Sequence, residues 1–159
     1  MFHLTKRTLG IAAVILVGLP AGLLVYARKP MEPLAAEALE AARARWASVG
    51  PAEYEMEFEM MGGHYRVHVR RGRVLELTRN GDPTTSNRPG DFTVEGIFNT
   101  LERELEVLHG PSNPFGGDRS TTFLRVRFHP TLGYVQRYLR AVGGTGRSTA
   151  IDVTRFVPL

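Results

Sequence analysis

Hydrophobic and polar residues alternate most strictly from Glu53 to Met60, where the chain reads E-Y-E-M-E-F-E-M. A period of two is typical of a β-strand with one face in the core, so this segment predicts a strand with an acidic outer row. After a Met61-Gly62-Gly63 turn, His64 to Arg71 alternates in the same way, with histidine and arginine on its polar side. The two segments predict an antiparallel hairpin with opposite charges facing each other, and a third strand follows from Val74 to Thr78.

Two segments have the residue spacing of amphipathic helices. The first runs from Leu34 to Trp46, consists almost entirely of strong helix formers, and is ended by Gly50-Pro51. The second follows a polar loop and begins at an N-cap, either Asp91 or Thr93. It ends at the His109-Gly110-Pro111 sequence.

The C-terminal third of the chain contains three more segments with strand character. They run from Thr121 to Phe128, from Gly133 to Arg140 and from Ala150 to Val157. The predicted order is therefore helix, three strands, helix, three strands, with no helix between sequential strands. This order predicts an α+β domain with an antiparallel sheet and both helices on one face.

A different pattern occupies the N-terminal region, where Leu9 to Tyr26 is eighteen residues long and carries no charge. A helix with a rise of about 1.5 Å per residue would just span a bilayer over this length. We therefore expect a transmembrane anchor over residues 1–29, a linker over 30–33 and an extracytoplasmic α+β domain over 34–159. The short leader favours a single-pass topology in the inner membrane, with the N-terminus in the cytoplasm.

Other interpretations of the apolar run remain open. A cleaved signal peptide would also fit, because Lys6 and Arg7 precede the run and Val25-Tyr26-Ala27 resembles a cleavage site; the domain would then be secreted. A buried core helix is the third possibility, although the run has no polar face. Gly18 and Gly22 form a G-x-x-x-G motif, which predicts close packing against another membrane helix.

The charge balance depends on where the basic residues lie. The net charge of +4 and the isoelectric point of about 9.8 would suggest a nucleic-acid partner. Four basic residues flank the apolar run, however, which leaves 16 arginines and 16 acidic residues from residue 30 onward. A neutral domain does not favour nucleic acid. The absence of cysteine excludes a disulfide framework and a lipid-modified cysteine anchor.

The C-terminal region is locally basic, because residues 119–159 contain seven arginines and a single acid, Asp152. We predict a docking face for an acidic protein surface or for the anionic headgroups of the lipid bilayer. The predicted face consists of Arg125, Arg127, Tyr134, Arg137 and Tyr138. The alternative is that these arginines pair with the acid-rich segment at residues 32–59.

Candidate catalytic and metal chemistry is weak in this sequence. His64 and His68 lie about 13 Å apart on an extended strand, too far to share one metal ion, and His129 before Pro130 is interpreted as a turn residue. The glutamate row is interpreted as a solvated sheet face. Neither glycine-rich loop has the context of a phosphate-binding loop, and no G-x-S-x-G sequence is present, so we predict no catalytic residue, metal or cofactor.

Several short motifs resemble a known family. They are Trp46 at the end of a helix, Tyr54 near the start of a strand, Val67, Val69, Gly72 and Val74 around a turn, the stretch from Thr93 to Phe98, and the stretch from Val126 to Tyr134. Over about residues 40–157 the chain resembles the bacterial domain-of-unknown-function family 6174.

The resemblance implies an α+β fold and an extracytoplasmic setting, since members are small exported domains and often lipoproteins. It supplies no catalytic residue. The chain departs from the family pattern at His129, where an aspartate is usual, and at Val135, where a proline is usual.

These observations lead to one functional hypothesis and two alternatives. We predict a non-enzymatic single-span protein that acts as an accessory or stabilising subunit of a larger bacterial membrane complex of the respiratory or photosynthetic type, with other membrane-protein subunits as partners. The first alternative is a tethered or secreted periplasmic binding or inhibitor-like module. The second is a hydrolase with an unrecognised site.

Overall fold

The computed structural model of the chain describes residues 30–110 and 119–159. The strands are β1 (Glu32–Pro33), β2 (Glu53–Met60), β3 (Gly63–Arg70), β4 (Arg73–Arg79), β5 (Asp82–Pro83), β6 (Thr122–Phe128), β7 (Val135–Val142) and β8 (Arg147–Pro158). The helices are α1 (Ala36–Val49) and α2 (Val94–His109), and short 3-10 turns span Pro89–Phe92 and Arg119–Thr121.

All eight strands belong to one sheet, in the order β1-β6-β7-β8-β2-β3-β4-β5. Each neighbouring pair is antiparallel. The sheet therefore consists of two meanders, β2-β3-β4 and β6-β7-β8, which join where the C-terminal strand β8 pairs with β2. The two terminal strands of the sheet, β1 and β5, contain only two residues each.

Both helices pack on the same face of the sheet, and the core lies between the two layers. From the helices it contains Leu39, Ala42, Trp46, Val94, Ile97, Phe98, Leu101 and Leu105. From the sheet it contains alternate residues such as Tyr54, Met56, Phe58, Val67, Val69, Leu124, Val126, Tyr138 and Ile151. The period of two in the strands thus places every second side chain in the core and its neighbours on the opposite face.

The predicted hairpin is confirmed. β2 has the predicted bounds, and its glutamates lie opposite the histidines and arginines of β3, from Glu53 opposite Arg70 to Glu59 opposite His64. The N-cap of α2 is Thr93, whose hydroxyl oxygen accepts a hydrogen bond from the backbone N–H of Gly96 at 3.0 Å. Of the two N-cap residues that the sequence allowed, Thr93 is the one used.

The predicted fold class is wrong in two respects, and the first is the strand count. The sheet has eight strands rather than six, because Glu32–Pro33 and Asp82–Pro83 pair with the neighbouring strands β6 and β4. A strand of two residues contains no full period of alternation, so it leaves no signal in the sequence. Its conformation is determined by the strand with which it pairs.

The second correction concerns the transmembrane helix. In residues 30–110 and 119–159, no helix is long and apolar enough to cross a membrane. The longer helix, α2, has 16 residues and carries five charged side chains. The single-span membrane class predicted from the sequence is therefore not supported by the structure. The apolar run and its two glycines, Gly18 and Gly22, lie outside the described residues.

Candidate functional site

The surface that lacks helices is the outer face of the sheet, and we call it the helix-free face. Its central part carries the glutamate row of β2, between the basic row of β3 and strand β8. Side chains on neighbouring strands of one face lie close enough to interact directly. The contacts along these three strands therefore determine which charges on the helix-free face are already matched.

The acidic row of β2 is largely matched by partners on both sides. Glu53 accepts hydrogen bonds from Nε and Nη2 of Arg70, each at 2.8 Å, and lies 2.9 Å from Nε2 of His68. The hydrogen bonds from Arg70 and His68 lower the pKa of the Glu53 carboxyl to about 2. Nη2 of Arg66 lies 2.7 Å from Glu55, and this carboxylate raises the pKa of the guanidinium.

Glu57 has one partner on each neighbouring strand, Arg155 on β8 and His64 on β3. Nη1 of Arg155 lies 3.0 Å from Glu57, and Nε2 of His64 lies 3.6 Å from the other oxygen of the same carboxylate. Glu59 at the end of the row is exposed and forms no ion pair among the described residues. Three of the four glutamates in the central part of the helix-free face therefore already have basic partners.

The other part of the helix-free face lies on β6 and β7 and is basic. We call it the arginine face and define it as Phe123, Arg125, Arg127, Arg137, Leu139 and Ala141. These six residues pair across the two strands as Arg127 with Arg137, Arg125 with Leu139 and Phe123 with Ala141. Phe123 is 55% exposed, which is unusual for a side chain of that size.

Two arginines oppose each other directly on this surface. Arg127 and Arg137 are cross-strand partners, and like charges in such positions destabilise a sheet. Arg137 lies 3.5 Å from Asp152, and Arg125 donates a hydrogen bond to the carbonyl oxygen of Met31 at 3.3 Å. The arginine face thus combines an excess of positive charge with an exposed aromatic ring.

The structure brings together three of the five residues predicted for the docking face. Arg125, Arg127 and Arg137 lie on the arginine face, whereas Tyr134 and Tyr138 lie on the helix side and are 8% and 1% exposed. The alternative prediction was that the C-terminal arginines pair with the acidic segment at residues 32–59. Arg155 does so, because it forms an ion pair with Glu57.

Arg140 is excluded from the arginine face because its side chain lies on the helix side. Its Nη1 contacts both carboxylate oxygens of Glu104 on α2, at 2.6 and 2.7 Å, and its Nη2 donates to Thr149 at 2.9 Å. Burial and the charge of Glu104 raise the pKa of the neighbouring phenol of Tyr138. This polar group lies between the sheet and the helix layer.

An open cleft lies at one end of the helix-free face, beside the β2-β3 turn, with a volume of about 560 Å³. Glu59, His64, Ser148 and Asp152 are among its lining residues. In the described part of the chain, no hydrogen bond joins Ser148 to His64, and no group of three or more His, Asp or Glu side chains could hold a metal ion.

Several motif residues that the sequence singled out have roles in packing. Nε1 of Trp46 donates to Glu95 at 2.8 Å, and the phenol oxygen of Tyr54 accepts from the backbone N–H of Val94 at 3.0 Å. Both contacts attach the start of α2 to the rest of the domain. They had no signal in the sequence, because each joins residues at least forty positions apart.

Comparison with known proteins found no similar protein. No family model, no curated protein and no solved structure matches the chain. The resemblance to family 6174 therefore stays a prediction from the motifs.

Proposed function

We propose that this domain is a non-enzymatic protein-interaction module and that its arginine face binds an acidic surface of a partner protein. In this role it would serve as an accessory subunit that stabilises a larger assembly. The observation that carries the proposal is that Arg125, Arg127 and Arg137 share one face of β6 and β7 with the exposed ring of Phe123.

The exposed arginines of this face suit an acidic partner. Arg125 and Arg137 are exposed, and carboxylates of a partner protein would form charge-assisted hydrogen bonds with their guanidinium groups. Arginine and phenylalanine are also enriched in protein interfaces, where a ring fills a pocket while arginines bind carboxylates in a bidentate manner. The glutamate row in the central part of the same face contrasts with the arginine face and would favour one binding orientation over others.

A photo-cross-linking experiment in cells of the source organism tests the proposal. A benzophenone amino acid at Phe123 places the reactive group on the arginine face, and the same amino acid at Val49, which is 52% exposed on α1, is the matched control. We expect a protein with an acidic surface to be captured from position 123 and not from position 49. Capture of the same proteins from both positions would contradict the proposal.

Charge reversal separates a specific interface from adventitious contact. The double variant Arg125→Glu and Arg137→Glu should reduce the yield of the Phe123 adduct at least about tenfold, because it replaces attraction by repulsion. The control double variant, Arg73→Glu and Arg103→Glu, changes two exposed arginines outside the arginine face and should leave the adduct unchanged. An adduct that survives reversal of Arg125 and Arg137 would refute the proposed interface.

A further inference from the structure

We propose that the turn between β6 and β7 is an acid-sensitive latch, which stays closed on α1 only while Nδ1 of His129 carries no proton. The latch is the segment from His129 to Tyr134. The inference does not depend on the proposed partner, because it concerns the domain itself.

The ring of His129 holds the turn by accepting backbone hydrogen bonds. Nδ1 lies 3.0 Å from the backbone nitrogen of Leu132 and 3.3 Å from that of Thr131. Both nitrogens are donors, so Nδ1 must offer its lone pair and the ring proton must be on Nε2. An aspartate at this position would accept the same two hydrogen bonds with its carboxylate. Histidine can therefore replace the aspartate that is usual in the family this chain resembles.

The turn is closed by its own backbone and packed against α1. The N–H of His129 donates to the carbonyl oxygen of Tyr134 at 2.7 Å, and the N–H of Gly133 donates to that of His129 at 2.9 Å. Gly133 has a φ of +86° and lies against the backbone of α1, where an added Cβ would clash with the carbonyl oxygen of Ala42. The turn therefore contacts α1 through a position that tolerates no side chain.

Aromatic stacking connects the ring of His129 to the core. It stacks on Tyr134 with a centroid distance of 4.8 Å, and Tyr134 stacks on Phe156 at 4.4 Å. Phe156 in turn contacts Trp46 of α1 edge to face at 5.9 Å. Displacement of the His129 ring would therefore disturb a row of four rings that joins the turn, β8 and α1.

Protonation would break this arrangement. A proton on Nδ1 turns the acceptor into a third donor facing the N–H groups of Thr131 and Leu132, so both hydrogen bonds are lost. Burial lowers the pKa of His129 below its ordinary value of 6.5, in agreement with a neutral ring in the folded domain. The two hydrogen bonds to Nδ1 contribute fully to the stability of the folded domain above about pH 6.5. Their contribution is lost as the pH falls from there through the lower pKa that His129 has in the folded state.

The surrounding charges do not supply an alternative switch. The elements packed around the turn carry Arg45 on α1, Arg127 on β6, Arg155 on β8 and Glu32 on β1. The three guanidinium groups keep their charge at any pH at which the domain is folded. Glu32 lines the same small pocket of about 160 Å³ as Pro130 and makes no contact with the His129 ring among the described residues. Burial raises the pKa of the Tyr134 phenol, which therefore stays neutral throughout.

Nitrogen-15 NMR of the histidine rings in the full chain tests the protonation state directly. At pH 7.5 we expect the His129 signals of a neutral ring with the proton on Nε2, and a titration midpoint below 6.5. A proton on Nδ1 at pH 7.5, or a midpoint at or above the ordinary value, would overturn the proposal.

Hydrogen exchange tests whether the turn opens. The protection factors of the Thr131 and Leu132 amides should fall at least about tenfold between pH 7.5 and 5.0, because protonation of Nδ1 removes the hydrogen bonds that both amides donate. In His129→Asn, where an amide oxygen accepts the same bonds without titrating, they should not change with pH. His109→Asn, at the exposed end of α2, should behave like the unaltered chain.

A loss of protection that persists in His129→Asn would refute the latch. If that variant fails to fold, His129→Asp provides the second test, because its carboxylate accepts the two bonds over the whole range from pH 7.5 to 5.0. The aspartate variant should keep its protection at pH 5.0, and a loss equal to that of the unaltered chain would also refute the proposal.

Discussion

Gly96 is the residue at which α2 comes closest to the preceding turn. An added Cβ would clash with the carbonyl oxygen of Gly90 and lie 2.7 Å from Cα of Asp91. Because both neighbours are backbone atoms, they can move away only if the turn shifts. The glycine in the Thr93 to Phe98 motif is therefore required for packing.

We expect Gly96→Ala to lower the free energy of unfolding by about 1–3 kcal/mol, the usual cost of overpacking a core. Gly90→Ala is the matched control, since nothing lies within 4 Å of its Cβ position, and it should change stability by less than about 0.5 kcal/mol. Urea unfolding at pH 7.5 measures both values. Equal stability of the two variants would show that the turn adapts and that the close approach is not required.

Single residues show both the success and the limit of the sequence analysis. The turn predicted at His129 is confirmed by the hydrogen bonds that close it. It could be predicted because a residue directly before proline is a local signal for a turn. The burial of Tyr134 and Tyr138 was not foreseen. Tyr138 directly follows Arg137 on β7, and successive side chains of a strand point to opposite faces, so the two could not share one face. Tyr134 lies in the turn before β7, where alternation gives no guide, and a phenol occurs both on surfaces and in cores.

The hairpin of β2 and β3 is the element whose stability depends most visibly on ion pairs. Glu53 at its open end binds both Arg70 and His68, which lowers the pKa of the carboxyl to about 2. Its ordinary value is 4.5, so the unfolded chain takes up a proton at a higher pH than the folded domain does. The contribution of Glu53 is therefore present above about pH 4.5 and is lost as the pH falls from 4.5 to about 2.

We predict that Glu53→Gln is less stable than the unaltered chain at pH 7 and that the difference disappears as the pH approaches 2. The neutral amide keeps part of the hydrogen bonding but not the charge, so only the charge-dependent part is removed. Urea midpoints at several pH values from 7 to 2 measure the difference. Glu59→Gln, at an exposed position without an ion pair among the described residues, should show no such pH dependence, and a similar profile for both variants would contradict this assignment.

Alternation explains why the long elements could be predicted and the short ones could not. Eight residues of strict alternation are sufficient to predict β2 with its observed bounds. Glu32–Pro33 pairs with β6, which is far away in the sequence. Asp82–Pro83 pairs with β4 across a tight turn. Both segments contain proline, which normally argues against a strand and is tolerated at an edge.

At the scale of the whole molecule, the ion pair of Arg140 and Glu104 joins the helix layer to the sheet. Both oxygens of Glu104 contact Nη1 of Arg140, and the side chains are only 22% and 14% exposed. Loss of one charge would leave the other partly buried without its counterion, which is costly in a site of low polarity.

Glu104→Gln should therefore lower the free energy of unfolding by about 1–2 kcal/mol, less than for a fully buried pair because water still reaches both groups. The control is Glu102→Gln, whose partner is Arg43 and whose side chain is 51% exposed. It should cost less than about 0.5 kcal/mol. Thermal unfolding followed by circular dichroism compares the two, and equal losses would mean that Arg140 and Glu104 do not hold the layers together.

The order of the strands could not be predicted from the sequence. The C-terminal strand β8 lies in the middle of the sheet and joins the two meanders, although nothing in residues 147–158 distinguishes a central strand from an edge strand. The arginine face follows from this order, because β8 separates β6 and β7 from the glutamate row of β2. The composition of residues 119–159 revealed the basic excess, whereas the topology determined which arginines share a surface.

The two shortest strands determine how the domain behaves towards other copies of itself. The N–H of Leu34 donates inward to Leu124 and that of Thr84 donates inward to Leu77, so the nitrogens of Pro33 and Pro83 must point outward along the open edges. Proline has no N–H at these positions, and an approaching strand would find a missing donor at each edge. The eight-stranded sheet is thereby protected at both edges against pairing with a strand of another copy.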